Sequence, residues 1–145
     1  MEVALLKKHL DEQIDQLLSM SGITEHYDWT IEVETTVYIT MHPKKYPDKK
    51  FTAKLKCDRY PMRAPSFQFI DNNTKNEGAQ SWPQGSPFQA AVSRNQALPQ
   101  LCIAGIREFH EGCHAGDAAK PWIPEKYPFV KTLEAIQVEL DKAYP

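Results

Sequence analysis

No apolar run in the 145 residues approaches the ~20 that a membrane span requires, so no transmembrane segment is expected. The opening stretch, MEVALLKKHLDEQIDQLL, is broken by charge every few positions and does not read as a signal peptide. An excess of one charge is also missing. Seventeen basic side chains stand against nineteen acidic ones, a formal net charge of −2, which leaves no basic field for nucleic acid. There is no glycine-rich phosphate loop, and so no nucleotide site to expect. No CxxC pair, internal repeat or Gly/Ser-rich linker occurs. Cysteine is scarce: three residues, an odd count without a secretory signal, imply free thiols in a reducing, cytoplasmic setting.

What is present suits one folded domain over residues 1–145, since this length buries a real core and the 41% hydrophobic and 25% charged residues are ordinary for a globular chain. Val3, Leu6, Leu10, Ile14 and Leu17 recur at three- and four-residue steps, with Leu5 and Leu18 widening the stripe. They predict an amphipathic helix over about 2–19, ended by Ser21-Gly22. From Trp29 to Met41 the period falls to two, with Ile31, Val33, Val37 and Ile39 on one parity, which reads as one long strand or two short ones. After a proline-broken loop whose lysines (Lys44, Lys45, Lys49, Lys50) read as a solvated tip, Phe51, Ala53, Leu55 and Cys57 alternate in a further strand. Cys57 there is expected to be a buried small hydrophobe.

Tyr60-Pro61-Met62-Arg63-Ala64-Pro65 is expected to cross in extended form. Ser66–Ile70 then reads as a short strand closed by Asp71-Asn72-Asn73, and 72–85 as a polar loop anchored by Trp82. The helical period returns in Phe129, Leu133, Ile136 and Leu140, with Val130 and Ala143 beside them and Pro128 at the first turn. Helix, strands, long loop and helix make an α+β domain built on an antiparallel meander.

Between the last strand and the last helix lies LPQLCIAGIREFHEGCHAGDAAKPW, residues 98–122. It is poor in periodic apolar residues, yet holds two of the three cysteines and two of the five histidines. A long aperiodic stretch carrying reactive side chains points to a functional loop. Cys102 is the leading candidate nucleophile, against a plain reading as a thiol packed between Leu101 and Ile103. Cys113, next to His114, is its rival, although adjacent residues seldom point the same way. His110, Cys113 and His114, with Cys102 or Asp117, also offer a zinc set. Trp122 reads as an anchor for the loop.

The order of these motifs resembles the ubiquitin-conjugating (E2) fold. Tyr46-Pro47-Asp48 is similar to the family's second hairpin tip, Tyr60-Pro61-Met62-Arg63-Ala64-Pro65 to its Tyr-Pro crossing, Leu101-Cys102-Ile103 to its cysteine segment, and Trp122-Ile123-Pro124 to the Trp-x-Pro before its core helix. The resemblance implies a UBC-like domain: N-terminal helix, four-stranded meander, long active-site loop and C-terminal core helix. Three features depart from the family. The His-Pro-Asn tripeptide is replaced by Ser93-Arg94-Asn95, seven residues before Cys102. Trp122 stands twenty positions after Cys102. The family's last two helices are absent.

Such short forms resemble the E2-like proteins of bacterial antiphage operons, both CBASS-type operons with a cGAS-like nucleotidyltransferase and those with their own ubiquitin-like protein. The resemblance implies a thioester on Cys102, with Asn95 as a candidate oxyanion donor and an E1-like partner that uses the ATP. The carried protein is then a ubiquitin-like modifier or a cGAS-like nucleotidyltransferase, and the acceptor a target amine. His114 or Asp117 is a candidate for deprotonating that amine. The N-terminal helix and the lysine tip are candidate contacts for the E1-like partner. A non-catalytic binding module of the same fold, and a zinc-dependent enzyme using His110–Asp117, are the alternatives.

Overall fold

Period-two alternation in the middle of the chain becomes a four-stranded antiparallel meander in the computed structural model, which describes residues 3–19, 28–33, 35–92 and 98–145. The strands are β1 (Thr30–Val33), β2 (Thr36–Met41), β3 (Phe51–Lys56) and β4 (Ser66–Ile70), in the spatial order β1-β2-β3-β4. The 29–41 stretch is thus two short strands, with Thr30 opposite Thr40 and Val33 opposite Val37. Side chains of one parity face inward: Val37, Ile39 and Met41 on β2, Ala53 and Leu55 on β3, Phe67 and Phe69 on β4, with Cys57 following in the same core. On the other face Thr52 donates to Asn72 Oδ1 at 2.6 Å and lies 3.0 Å from the Thr40 hydroxyl, so a cross-strand pair locks the register.

Two long helices cover the inward face. In α1 (Val3–Ser19) the buried side chains are Leu10, Ile14 and Leu17. Leu18, expected to widen the stripe, is 56% exposed, because a neighbour of Leu17 stands 100° further round the helix and misses the core. The side chains of Val3, Leu5 and Leu6, and the Ser21-Gly22 helix end, lie outside the described residues. In the last helix, Phe129–Ala143, the expected face of Phe129, Leu133, Ile136 and Leu140 is buried, with Val130 beside it. Each such side chain contributes roughly 1.5–3 kcal/mol by leaving water. Pro128 precedes that helix without a side-chain cap, and Gln13 of α1 accepts the Phe129 N–H at 3.0 Å, answering one of the donors that a helix start leaves open.

A short helix, α2 (Phe88–Val92), follows the polar loop and buries Phe88 and Ala91, so the final helix is α3. Trp82 anchors that loop as expected, edge-on to Phe69 at 5.1 Å and to Phe67 at 6.1 Å. The lysine tip is exposed. The 60–65 segment differs from expectation: it turns instead of running extended, through a cis Tyr60–Pro61 bond, and the Arg63 N–H reaches the Arg59 carbonyl at 2.9 Å. Proline suits tight turns as well as extended crossings, so the composition alone did not choose. Among the described residues no helix is long and apolar enough to cross a membrane.

Two polar side chains, Thr132 and Gln137, are buried among the apolar residues of α3. Gln137 is fully buried. Its Oε1 accepts the Trp29 indole N–H at 2.7 Å, and its Nε2 donates to the His42 carbonyl at 2.8 Å and to Asp141 Oδ1 at 2.9 Å. It therefore ties the entry to β1 and the exit from β2 to α3. Gln137→Leu removes these partners inside the core and is expected to lower unfolding free energy by about 2 kcal/mol in urea titration. An unchanged midpoint would show that the bonds add nothing.

Candidate active site

The 98–122 loop is held first by the outer edge of β4, which no strand covers among the described residues. Phe67 N–H donates to Glu108 Oε1 at 2.8 Å and the Ser66 hydroxyl to Glu108 Oε2 at 2.7 Å, so one carboxylate answers the start of the strand. The Arg107 N–H donates to the Pro65 carbonyl at 2.8 Å, and its guanidinium to the Ala64 carbonyl at 3.1 Å and to Asp58 at 3.0 Å. Further along, Gln68 Nε2 donates to the Pro99 carbonyl at 2.6 Å. Leu101, Ile106 and Phe109 drop into the core. Between them Gly105 has φ +106° and presses on Thr132 of α3, where an added Cβ would overlap the Thr132 hydroxyl.

Five residues, Phe109–Cys113, then form a π-helical turn. His110 lies beneath it. Its Nε2 accepts the Gly105 N–H at 3.0 Å, which leaves Nδ1 to carry the proton and donate to the Lys120 carbonyl at 3.1 Å. The ring packs 4.7 Å from Tyr127 and 5.5 Å from Trp122. Burial holds the His110 pKa below its ordinary 6.5, so the neutral ring is the resident form near pH 7. Trp122 is the expected anchor: its indole donates to the Pro61 carbonyl at 2.8 Å. On the outer side Arg63 and Glu111 form a two-point pair at 2.9 and 2.6 Å, and that bond keeps Glu111 below the usual carboxylate range.

Cys102, half-buried, follows the buried Leu101 and emerges at the loop surface. It does not stand as a free thiol. Cys102 and Cys113 are joined in a disulfide with their Cα atoms 6.3 Å apart, and Cys57 is the free cysteine. The expectation of free thiols is thus corrected: composition records how many cysteines there are, and the π-turn decides which two meet. The expected divergence of Cys113 and His114 is corrected as well. A His114 nitrogen and both sulfurs lie within 4.8 Å of one another. The reason is local, since His114 leaves the turn with φ −121° and ψ 28° while its N–H still reaches the Phe109 carbonyl at 2.8 Å.

His114 Nδ1 lies 3.3 Å from Asp117 Oδ2, and its ring packs at a tilt against Phe109, 4.3 Å between centroids. The Asp117 carboxylate is held below its ordinary range first by the Ala119 N–H, then by His114, and so stays ionised. The cluster is therefore a sulfur pair, an imidazole and a carboxylate in sequence. The zinc set is altered by these contacts. Both His110 nitrogens are engaged in fixing the loop, and a disulfide sulfur is not the thiolate that zinc takes. Asn95 lies outside the described residues. Sequence reasoning missed Glu108, Arg107 and the Arg63–Glu111 pair, whose partners stand some 40 or more positions away; Gly105 was the local signal within the loop.

Two outcomes are expected of this frame. Gly105→Ala forces both the backbone and Thr132 to move, and is expected to lower the melting temperature measurably in calorimetry. The depressed His110 pKa means that the unfolded chain binds a proton where the folded one does not. Its stabilising contribution is whole above pH 6.5 and is lost as pH falls through the lower folded value. Amide exchange at Gly105 should therefore accelerate below pH 6.5 beyond the trend of neighbouring core amides; a parallel trend would show that His110 does not hold the loop.

The chain matches no family model, and no curated protein gives a significant match to it.

Proposed function

We propose that the chain is a single UBC-like domain acting as an E2-like carrier of acyl groups, with Cys102 as the nucleophile. The observation that carries this reading is the position of Cys102. It emerges half-buried from a braced loop immediately after a core leucine, beside a His114–Asp117 pair. A thiolate is both a strong nucleophile and a good leaving group, the two properties that a relay needs. The meander between α1 and α3, with Trp122 pinned to the Tyr-Pro segment, is compatible with the resemblance in motif order.

In the reduced protein, the Cys102 thiolate attacks a protein C-terminal acyl group activated by an E1-like partner at the expense of ATP. The activating group departs and a thioester forms. A target amine then attacks the thioester carbonyl, the Cys102 thiolate leaves, and the amine proton passes to His114, oriented by Asp117. The carried protein is a ubiquitin-like modifier or a cGAS-like nucleotidyltransferase, in a cytoplasmic antiphage setting. Asn95 is the proposed donor to the tetrahedral oxyanion.

A second reading, a binding module of the same fold, is favoured by one observation: the Cys102 sulfur is already bonded to Cys113. Intact-mass spectrometry of reduced protein with an active E1-like enzyme, the candidate carried protein and ATP separates the two. A thiol-sensitive adduct is expected in wild type and Cys113→Ala and is lost in Cys102→Ala; no adduct in any sample would favour the binding module. In single-turnover assays with a lysine acceptor, His114→Ala and Asp117→Asn are expected to slow transfer by about 10²-fold, more than they slow loading. Equal rates would remove the pair from the mechanism.

A further inference from the structure

We propose that Cys102 and Cys113 form a reversible redox pair that withdraws and releases the Cys102 thiol, a control that rests on the carrier reading for its purpose. Three observations support it. The loop is held by contacts other than the disulfide. Glu108 on β4, His110 between Gly105 and Lys120, and Trp122 on Pro61 brace it on both sides, and Leu101, Ile106 and Phe109 root it in the core. Opening the bond therefore frees two sulfurs without releasing the chain.

The two sulfurs are also unequal. Cys113 is exposed and Cys102 half-buried, so an incoming thiolate meets Cys113 first. Attack on Cys113 Sγ by a glutathione thiolate makes a mixed disulfide there and expels Cys102 as the thiolate. A second glutathione thiolate attacks the glutathione sulfur, giving oxidised glutathione and the Cys113 thiol. Two electrons reach the protein and two glutathiones are oxidised to one disulfide. The sulfur released first is the proposed acyl carrier, and it appears within 4.8 Å of a His114 nitrogen.

The third observation is the contrast with Cys57. That thiol is fully buried, burial pushes its pKa up to about 12, and it takes no part in exchange. Exchange is thus confined to the pair at the loop surface. A disulfide of this kind in a reducing compartment is more often a sensor or a catalytic intermediate than a staple.

The test uses the full chain equilibrated in glutathione buffers from fully reduced to fully oxidised, pulsed with iodoacetamide and mapped by peptide mass spectrometry. Cys102 and Cys113 are expected to become protected together in a single transition, with Cys102 labelling slowed by at least about tenfold in the oxidised buffer. Cys57 stays unlabelled throughout, and the reduced protein still melts cooperatively. Cys113→Ala should abolish the joint transition, leaving Cys102 to form a glutathione mixed disulfide. Equal labelling of wild-type Cys102 in all buffers overturns the proposal. So does a bond that excess reduced glutathione does not open, or a reduced protein that has unfolded. Loading by the E1-like partner is scored separately: a pair that titrates in a protein that is never acylated leaves the redox pair standing and removes the carrier reading.

Discussion

The uncovered edge of β4 is the constraint from which the rest of the molecule follows. A strand at the end of a sheet carries unpaired N–H and C=O groups, which invite another chain to add to the sheet. Here the protein's own loop meets the strand at its start: Glu108 takes the Phe67 N–H, Arg107 serves the Pro65 and Ala64 carbonyls just before it, and the Gln68 side chain reaches the Pro99 carbonyl. A loop used to close an edge cannot wander, so whatever it carries is fixed relative to the sheet. That is how an aperiodic segment comes to hold a cysteine pair, an imidazole and a carboxylate in a defined arrangement.

The two histidines of the loop divide its tasks by environment. His110 is sunk between the loop and the aromatic rings, spends both nitrogens on backbone groups and is kept neutral by burial. His114, four residues on, is partly exposed, touches a carboxylate and stands beside the sulfurs. The first fixes the backbone that positions the second. The π-turn between them matters because its extra residue changes the angle at which the following side chains leave the backbone, placing Cys113 and His114 on one side.

What the sequence disclosed was whatever depends on local repetition. The stripe of α3, the inward parity of β2 and β3, the burial of Cys57 and the anchoring roles of Trp82 and Trp122 were all legible, because each follows from a period or from a bulky apolar group in a polar stretch. The misses share a cause. Leu18 satisfied a loose stripe without satisfying the geometry, the 60–65 segment allowed both a crossing and a turn, and Gln137 breaks the apolar pattern for partners about a hundred positions away. The disulfide belongs with these. Cys102 and Cys113 are brought together as the β4 edge, the Gly105–Thr132 contact and the π-turn fold the intervening residues back.

The three cysteines also show why residue type alone could not assign the chemistry. Cys57 sits at the end of an inward-facing parity, under a sheet and against apolar neighbours, where the charged form of a thiol has no solvation; it is a packing atom that happens to be sulfur. Cys102 departs from that fate by one step along the chain. Leu101 takes the core position, and Cys102 packs half-buried against the core's rim, its sulfur close to the His114 imidazole. Cys113 is further out still and has no core position to fill. The three are graded in exposure, Cys57 buried, Cys102 half-buried and Cys113 exposed, and reactivity follows exposure because a thiolate needs either water or a cationic neighbour. The same fold that makes one cysteine inert therefore makes the other two available to each other and to external reactants.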